Sequence, residues 1–266
     1  VSGAGTGAGT PTTTDTSAYT RIFKPSQTVT TVGATGGYDA HLQFGYVDLL
    51  STVGWSIPGL RCTSFSLNWN KRASGMETGL TFSGTWTTNK TATQITAFTG
   101  SLSDRTQVWS LGNNLLSYVD SSYGSIGGTA DTNVTSATWS WQRPAVFHDG
   151  MDGTALHTSM HFPAQETSTL SLNRKFSDVT ELNAYIAKTQ RAIRLKAEGS
   201  LIGAVSAKNT TQLDFVGTYQ PGGHVHAAQD DMLYATLNFE EVYDSTLTAG
   251  WAITTVNAVS AAYTSA

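Results

Sequence analysis

The chain reads as a mainly β protein, a sheet sandwich or barrel with one α-helix packed against it. Three observations lead there. Of 266 residues only 13% are charged, against 42 Thr and 27 Ser, so much of the polar surface is hydroxyl rather than ionic. Threonine and aromatic side chains suit a pleated, half-buried surface, and 26 Gly provide turns. Apolar residues also recur with a period of two in segment after segment, while one stretch carries the signals of a capped amphipathic helix.

Residues 1–40 read as a Gly/Thr-rich arm. The first 18 (VSGAGTGAGTPTTTDTSA) hold almost no bulky apolar side chain. They cannot bury enough surface to offset their ordering entropy, so alone they are expected to be flexible and to order only on assembly. Ile22, Phe23 and Val29 are the docking points in the rest of the arm. Residues 41–266 form the β domain, with Tyr46–Thr52 as a weak helical candidate near its start. From residue 57 the alternation is clear. Thr63, Phe65, Leu67 and Trp69 alternate with Ser64, Ser66 and Asn68. Leu80, Phe82 and Trp86 alternate with Thr81, Ser83, Thr85 and Thr87, so Lys71 to Thr78 connects a hairpin with one apolar face. Between Asn133 and Trp141, Ala137, Trp139 and Trp141 oppose Ser136, Thr138 and Ser140. CTSFSLNW and VTSATWSW, 72 positions apart, share Thr-Ser and a final Trp, an echo that would suit a duplicated sheet unit.

The helix follows Ser177-Asp178-Val179-Thr180-Glu181, with Asp178 as N-cap and Glu181 in capping-box position. Val179, Leu182, Tyr185 and Ile186 then form the stripe expected to face the sheet. Strands resume with Ile193, Leu195 and Ala197 opposite Arg194, Lys196 and Glu198, and with Leu213, Phe215 and Tyr219. The clearest strand is Met232 to Val242. Leu233, Ala235, Leu237 and Phe239 form one face, and Tyr234, Thr236, Asn238 and Glu240 the other. A turn at Tyr243-Asp244-Ser245 leads to a closing strand, Trp251 to Val256.

Charge and composition exclude several function classes. The net charge of −4 excludes binding of nucleic acid by bulk charge. No run approaches the roughly 18 apolar residues of a membrane-spanning helix. The single cysteine, Cys62, has no intrachain partner and makes a poor metal site. Charge is also unevenly placed. All 15 Lys and Arg lie in residues 1–208, while residues 209–266 carry six acids: Asp214, Asp230, Asp231, Glu240, Glu241 and Asp244.

Chemistry is sparse. His157-x3-His161 and His224-Val225-His226 would each share a strand face, but no carboxylate or thiolate supports them at a ligand spacing, and Gly222-Gly223 reads as a loop. No metal is expected. Asp149-Gly150-Met151-Asp152-Gly153 lacks the later bidentate acid of a calcium loop. The glycines of residues 3–9 lack the preceding strand and following helix of a phosphate loop. Asp230-Asp231 and Glu240-Glu241 are adjacent pairs, which a strand sends to opposite faces, so neither forms an acid/base couple. Trp69, Trp86, Trp139 and Trp251 sit at apolar strand phases and read as core rather than as a sugar platform. No catalytic, cofactor-binding or metal-ligating residue is assigned.

Taken in order, the segments resemble the tail tube (major tail) proteins of long-tailed bacteriophages. The similarity runs from IPGL and CTSFSLNWN through GLTFSGTW and the long SLSDRTQVWSLGNNLLSYVDSSYGSIGG connection to TSATWSW. It continues through FSDVTELNAYIAKTQRAIRLKAEGSLI and LDFVGTY to QDDMLYATLNFEEVYDSTLTAGWAITTVNAV, about residues 57–257 in all. The resemblance implies a tail-tube β-sandwich with one packed helix, whose sheets join between subunits into rings. Stacked sixfold rings, or trimers with pseudo-sixfold symmetry if the echo is a duplication, would form the conduit for genome ejection. It implies a virion protein made in the host cytoplasm, with tape measure, tail terminator and baseplate proteins as partners. Double-stranded DNA would pass without specific binding, and no membrane, cofactor or catalytic residue is involved. The polar face Tyr234, Thr236, Asn238 and Glu240 is the expected lumen wall. A different class that the composition also suits is a carbohydrate-binding β-sandwich, such as a receptor-binding or adhesin module.

Overall fold

A computed structural model describes residues 12–15, 18–25, 40–47, 52–70, 80–88, 93–95, 115–148, 150–151, 159–161, 166–202, 207–229 and 232–258. The strands are β1 Thr12–Asp15, β2 Ala18–Phe23, β3 Ala40–Val47, β4 Thr52–Asn70, β5 Leu80–Thr87, β6 Thr93–Ile95, β7 Leu115–Asp120, β8 Val134–Gln142, β9 Val146–His148, β10 Ser159–His161 and β11 Thr167–Lys175. After the helix α1, Thr180–Ile186, come β12 Arg191–Leu201, β13 Lys208–Gln229, β14 Met232–Glu241 and β15 Trp251–Asn257. The protein is mainly β, and its antiparallel sheet curls into a half-barrel. The path of that sheet is β1-β2-β15-β13-β14-β11-β8-β4-β3, with β12 and β7 branching from β13, and β5 and β6 from β4.

Two long strands make the curl. The first half of β13 pairs with β12 (Ile193↔Phe215) on one edge and with β15 (Leu213↔Ile253) on the other. Its second half pairs with β14, from Gly217↔Glu241 to Gln229↔Met232. The partner changes at Val216, whose N–H donates to Gly250 O (2.7 Å) and whose carbonyl accepts from Val242 N (2.9 Å). Only glycine fits the next position, because a Cβ on Gly217 would lie 2.5 Å from Glu240 O and from a Phe215 ring carbon. The 19 residues of β4 likewise pair with β3 and β6 along the first half and with β5 and β8 along the second.

The inner faces close on one core. Leu67 and Trp69 of β4, Trp139 and Trp141 of β8, Leu170 and Leu172 of β11, and Leu237 and Phe239 of β14 meet Ile193, Leu213, Phe215 and Trp251 from the other side. Trp139 is its hub. The ring sits 4.9 Å from Trp251 and 6.2 Å from Phe65, and its Nε1 donates to Ser168 Oγ at 2.8 Å. A fully buried indole with its one donor satisfied contributes its whole apolar area.

Several expectations need correction. Thr63 is not in phase with the core, because a bulge between Cys62 and Ser64 shifts the register; Cys62 takes the buried slot and Thr63 donates to Thr85 O instead. Phe82 and Trp86 do alternate with polar residues on β5, yet they are 55% and 39% exposed. Among the described residues β5 pairs only with β4, so its apolar face runs past the core. Of the helical candidate Tyr46–Thr52, the described residues are strand: β3 ends at Val47 and β4 starts at Thr52, paired Tyr46↔Val53 and Val47↔Thr52. Residues 48–51 lie outside the described ones. Gly222-Gly223 is an irregularity inside β13, which continues through His224 and His226. β11, at the centre of the sheet, was not expected. Within the arm, β2 pairs with β15 and buries Ala18 and Arg21, and Phe23 packs on the core, whereas Ile22 is exposed. Val29 and the Lys71 to Thr78 connection lie outside the described residues.

The helix turns a different face inward than its apolar stripe suggests. Glu181 and Ala184 are buried, while Val179 and Ile186 are 54% and 68% exposed. Glu181 does not reach back to close a capping box. Its carboxylate takes Arg191 at 3.2 Å through both oxygens, and Tyr219 donates its hydroxyl to the same group. Val179 occupies the cap, and Asp178 captures the Thr180 amide at 2.8 Å from one position further back.

Candidate functional site

Alternation on β14 sends Ala235, Leu237 and Phe239 into the core, so Tyr234, Thr236, Asn238 and Glu240 share the outward face, as expected from the sequence. Register extends that face across the neighbouring strands. Asn238 lies beside Ser171, then Thr138, Asn68 and Thr81 on β11, β8, β4 and β5. Glu240 lies beside Thr169, Ser140, Ser66 and Ser83, and Thr236 beside Asn173, Ser136 and Asn70. The result is a five-strand surface of hydroxyl and amide groups.

Those side chains bond across the strands rather than to the backbone. Thr236 Oγ1 donates to Asn173 Oδ1 (2.8 Å), and Asn173 Nδ2 donates to Ser136 Oγ (2.9 Å). Thr138 Oγ1 donates to Asn68 Oδ1 at 2.9 Å. Such cross-strand pairs fix the register while leaving no charge on the surface. Across these rows the charges are Glu240 and, beside Tyr234, Lys175. Sequence reasoning assigned only the β14 strand to this face. It missed the rest because β11 was not recognised and the strand order was not known.

The acids of the last 58 residues divide by role. Asp214 is buried, accepting from Arg194 at 2.6 Å, Gln212 at 2.8 Å and Tyr123 at 3.2 Å. Asp244 accepts from the Thr246 and Leu247 amides, each at 2.8 Å. Glu240 and Glu241 point to opposite faces, with Glu240 exposed. Burial, and then the charge of Glu166, pushes the Glu241 carboxyl up to about 7. Asp230 and Asp231 lie outside the described residues. Of the four acids described, one projects from the polar face.

The remaining chemistry-bearing residues gather elsewhere. Trp69, Trp139 and Trp251 are buried, whereas Trp86, expected in the core, is on the surface. His224 and His226 lie on one face of β13 near α1, their ring centroids 4.6 Å apart. Among the described residues no three His, Cys, Asp or Glu side chains converge as a metal-ligand set. His157 lies outside them. No protein-family model matches the chain, and no curated protein matches it.

Proposed function

We propose that the chain is a structural tail tube subunit of a long-tailed bacteriophage, which assembles into stacked rings around a conduit for DNA. The observation that carries this reading is the five-strand hydroxyl and amide face with little charge. Lys and Arg on a wall would hold phosphates, each adding affinity and slowing passage, whereas hydroxyl and amide groups leave a duplex free to slide. The sheet edges support the same reading. Among the described residues β5 and β7 each pair with a single strand, and β5 carries the exposed Phe82 and Trp86. Joining sheets between subunits would cover both the open edge and that apolar surface. Six copies, or three if the chain is internally duplicated, would close the ring.

The lumen assignment is tested with Glu240→Lys, an exposed position where a new cation meets phosphate. Tubes should form normally, while DNA delivery by the variant particles falls. Normal infectivity would sink the assignment. Exposed Trp55 (41%) and Trp86 (39%) favour a second reading, a carbohydrate-binding module, since indole faces stack on sugar rings. Clear glycan-array hits from a monomeric protein would select it.

A further inference from the structure

We infer that His224 and His226 form a binding site for a divalent transition-metal ion of the Zn2+, Ni2+ or Cu2+ class. On a strand, residues two apart share a face, and β13 is regular from His224 to Gln229, with His224↔Leu237 and His226↔Ala235. The two imidazoles stand 4.6 Å apart between centroids, inclined at 64°. Two rings that chelate one ion through metal–nitrogen bonds of about 2.1 Å have centroids roughly 5 Å apart, so the pair is already spaced for one ion.

The protonation pattern also suits ligation. His224 Nε2 is buried with no hydrogen-bond partner, while the ring donates to its own main chain, which leaves that bond to Nδ1. A histidine whose Nδ1–H is tied to a carbonyl presents Nε2 as a free lone pair, the form in which imidazole binds metals. Burial, and then the neighbouring His226, holds His224 below the usual imidazole range. Aromatic walls fix both rings: Tyr185 lies 5.7 Å from His224 and Phe176 lies 4.9 Å from His226. His226 is exposed and gives the ion its entry, with water completing the coordination. Glu181, paired with Arg191, adds a negative charge felt at His224. The sequence pointed away from this site because no carboxylate or thiolate supports the pair at a ligand spacing and Gly222-Gly223 reads as a loop.

The test uses the untagged full chain, titrated with Zn2+, Ni2+ and Cu2+ at pH 7.5 against a chromophoric chelator. One ion per chain is expected, with two nitrogens coupled in the Cu2+ resonance spectrum. His226→Asn, at an exposed position, should weaken binding more than about tenfold, as should His224→Gln, while His148→Ala leaves it unchanged. Unchanged affinity in the doubly substituted chain, or a single coupled nitrogen, would overturn the assignment.

Discussion

Glu241 shows how one position can be set by its neighbours. It ends β14 at the junction where β13 changes partners, and a Cβ on Gly250 would lie 2.1 Å from its Cγ. Its carboxyl, at about 7 in the folded chain, has an ordinary value of 4.5. The folded state therefore holds a proton that the unfolded state releases. Its contribution is complete below about pH 4.5 and is lost as pH rises through 7, on the order of 2–3 kcal/mol. Glu241→Gln should flatten that decline and raise stability at pH 8, measured by denaturant unfolding at pH 5 and 8. An unchanged slope would place the carboxyl in water. Glu181 is instead held in a buried ion pair with Arg191. Glu181→Ala leaves Arg191 buried and alone, and should cost about 3–5 kcal/mol in the same assay.

The helix is the clearest case at the scale of elements. It ends in a motif in which Lys188 N–H donates to Tyr185 O and Thr189 N–H to Ala184 O. Lys188 has φ 52°, a left-handed conformation that an L side chain resists. Lys188→Gly should therefore raise stability by about 1 kcal/mol, and a thermal melt at constant pH checks it. Sequence reading placed this helix correctly but chose its face from apolar residues alone. What turned it was an ion pair between Glu181 and Arg191 and the Tyr219 hydroxyl, contacts no helical periodicity can register. Strands with strict alternation and a bulky core face, such as β8 and β14, were legible, except that Leu233 at the start of β14 is exposed rather than in the core. β11 was not, because Ser168, Leu170, Leu172 and Arg174 mix two apolar with two polar buried residues. Arg174 is buried through its bond to Asp131 at 2.9 Å, a pairing that depends on the fold. The bulge at Cys62 was hidden for a related reason: an added residue leaves the composition of a strand unchanged and alters only its register.

At the scale of the whole molecule, the sheet has a covered inner face and, across β14, β11, β8, β4 and β5, an outer face open to solvent. Leu247, Tyr123 and Ile126, by contrast, pack over the outer side of β12, β13 and β15. The inner face carries the aromatic core, which packs the two halves together, and β13 carries the strand pairing from one set of partners to the other. The outer face is polar through hydroxyl and amide groups. The β14 strand of the proposed wall was visible in the sequence, since period-2 alternation fixes which residues share a face. The breadth of the wall follows from the order β14-β11-β8-β4-β5, which long-range pairing decides and local pattern does not. Among the described residues β5 and β7 leave open edges, which self-association would cover. Electron microscopy of negatively stained protein across a range of concentrations, with light scattering on the same samples, tests it most directly. Regular tubes or stacked rings that lengthen with concentration are predicted. A monodisperse monomer at the highest concentration, unchanged by added seeds of assembled tail, would contradict it.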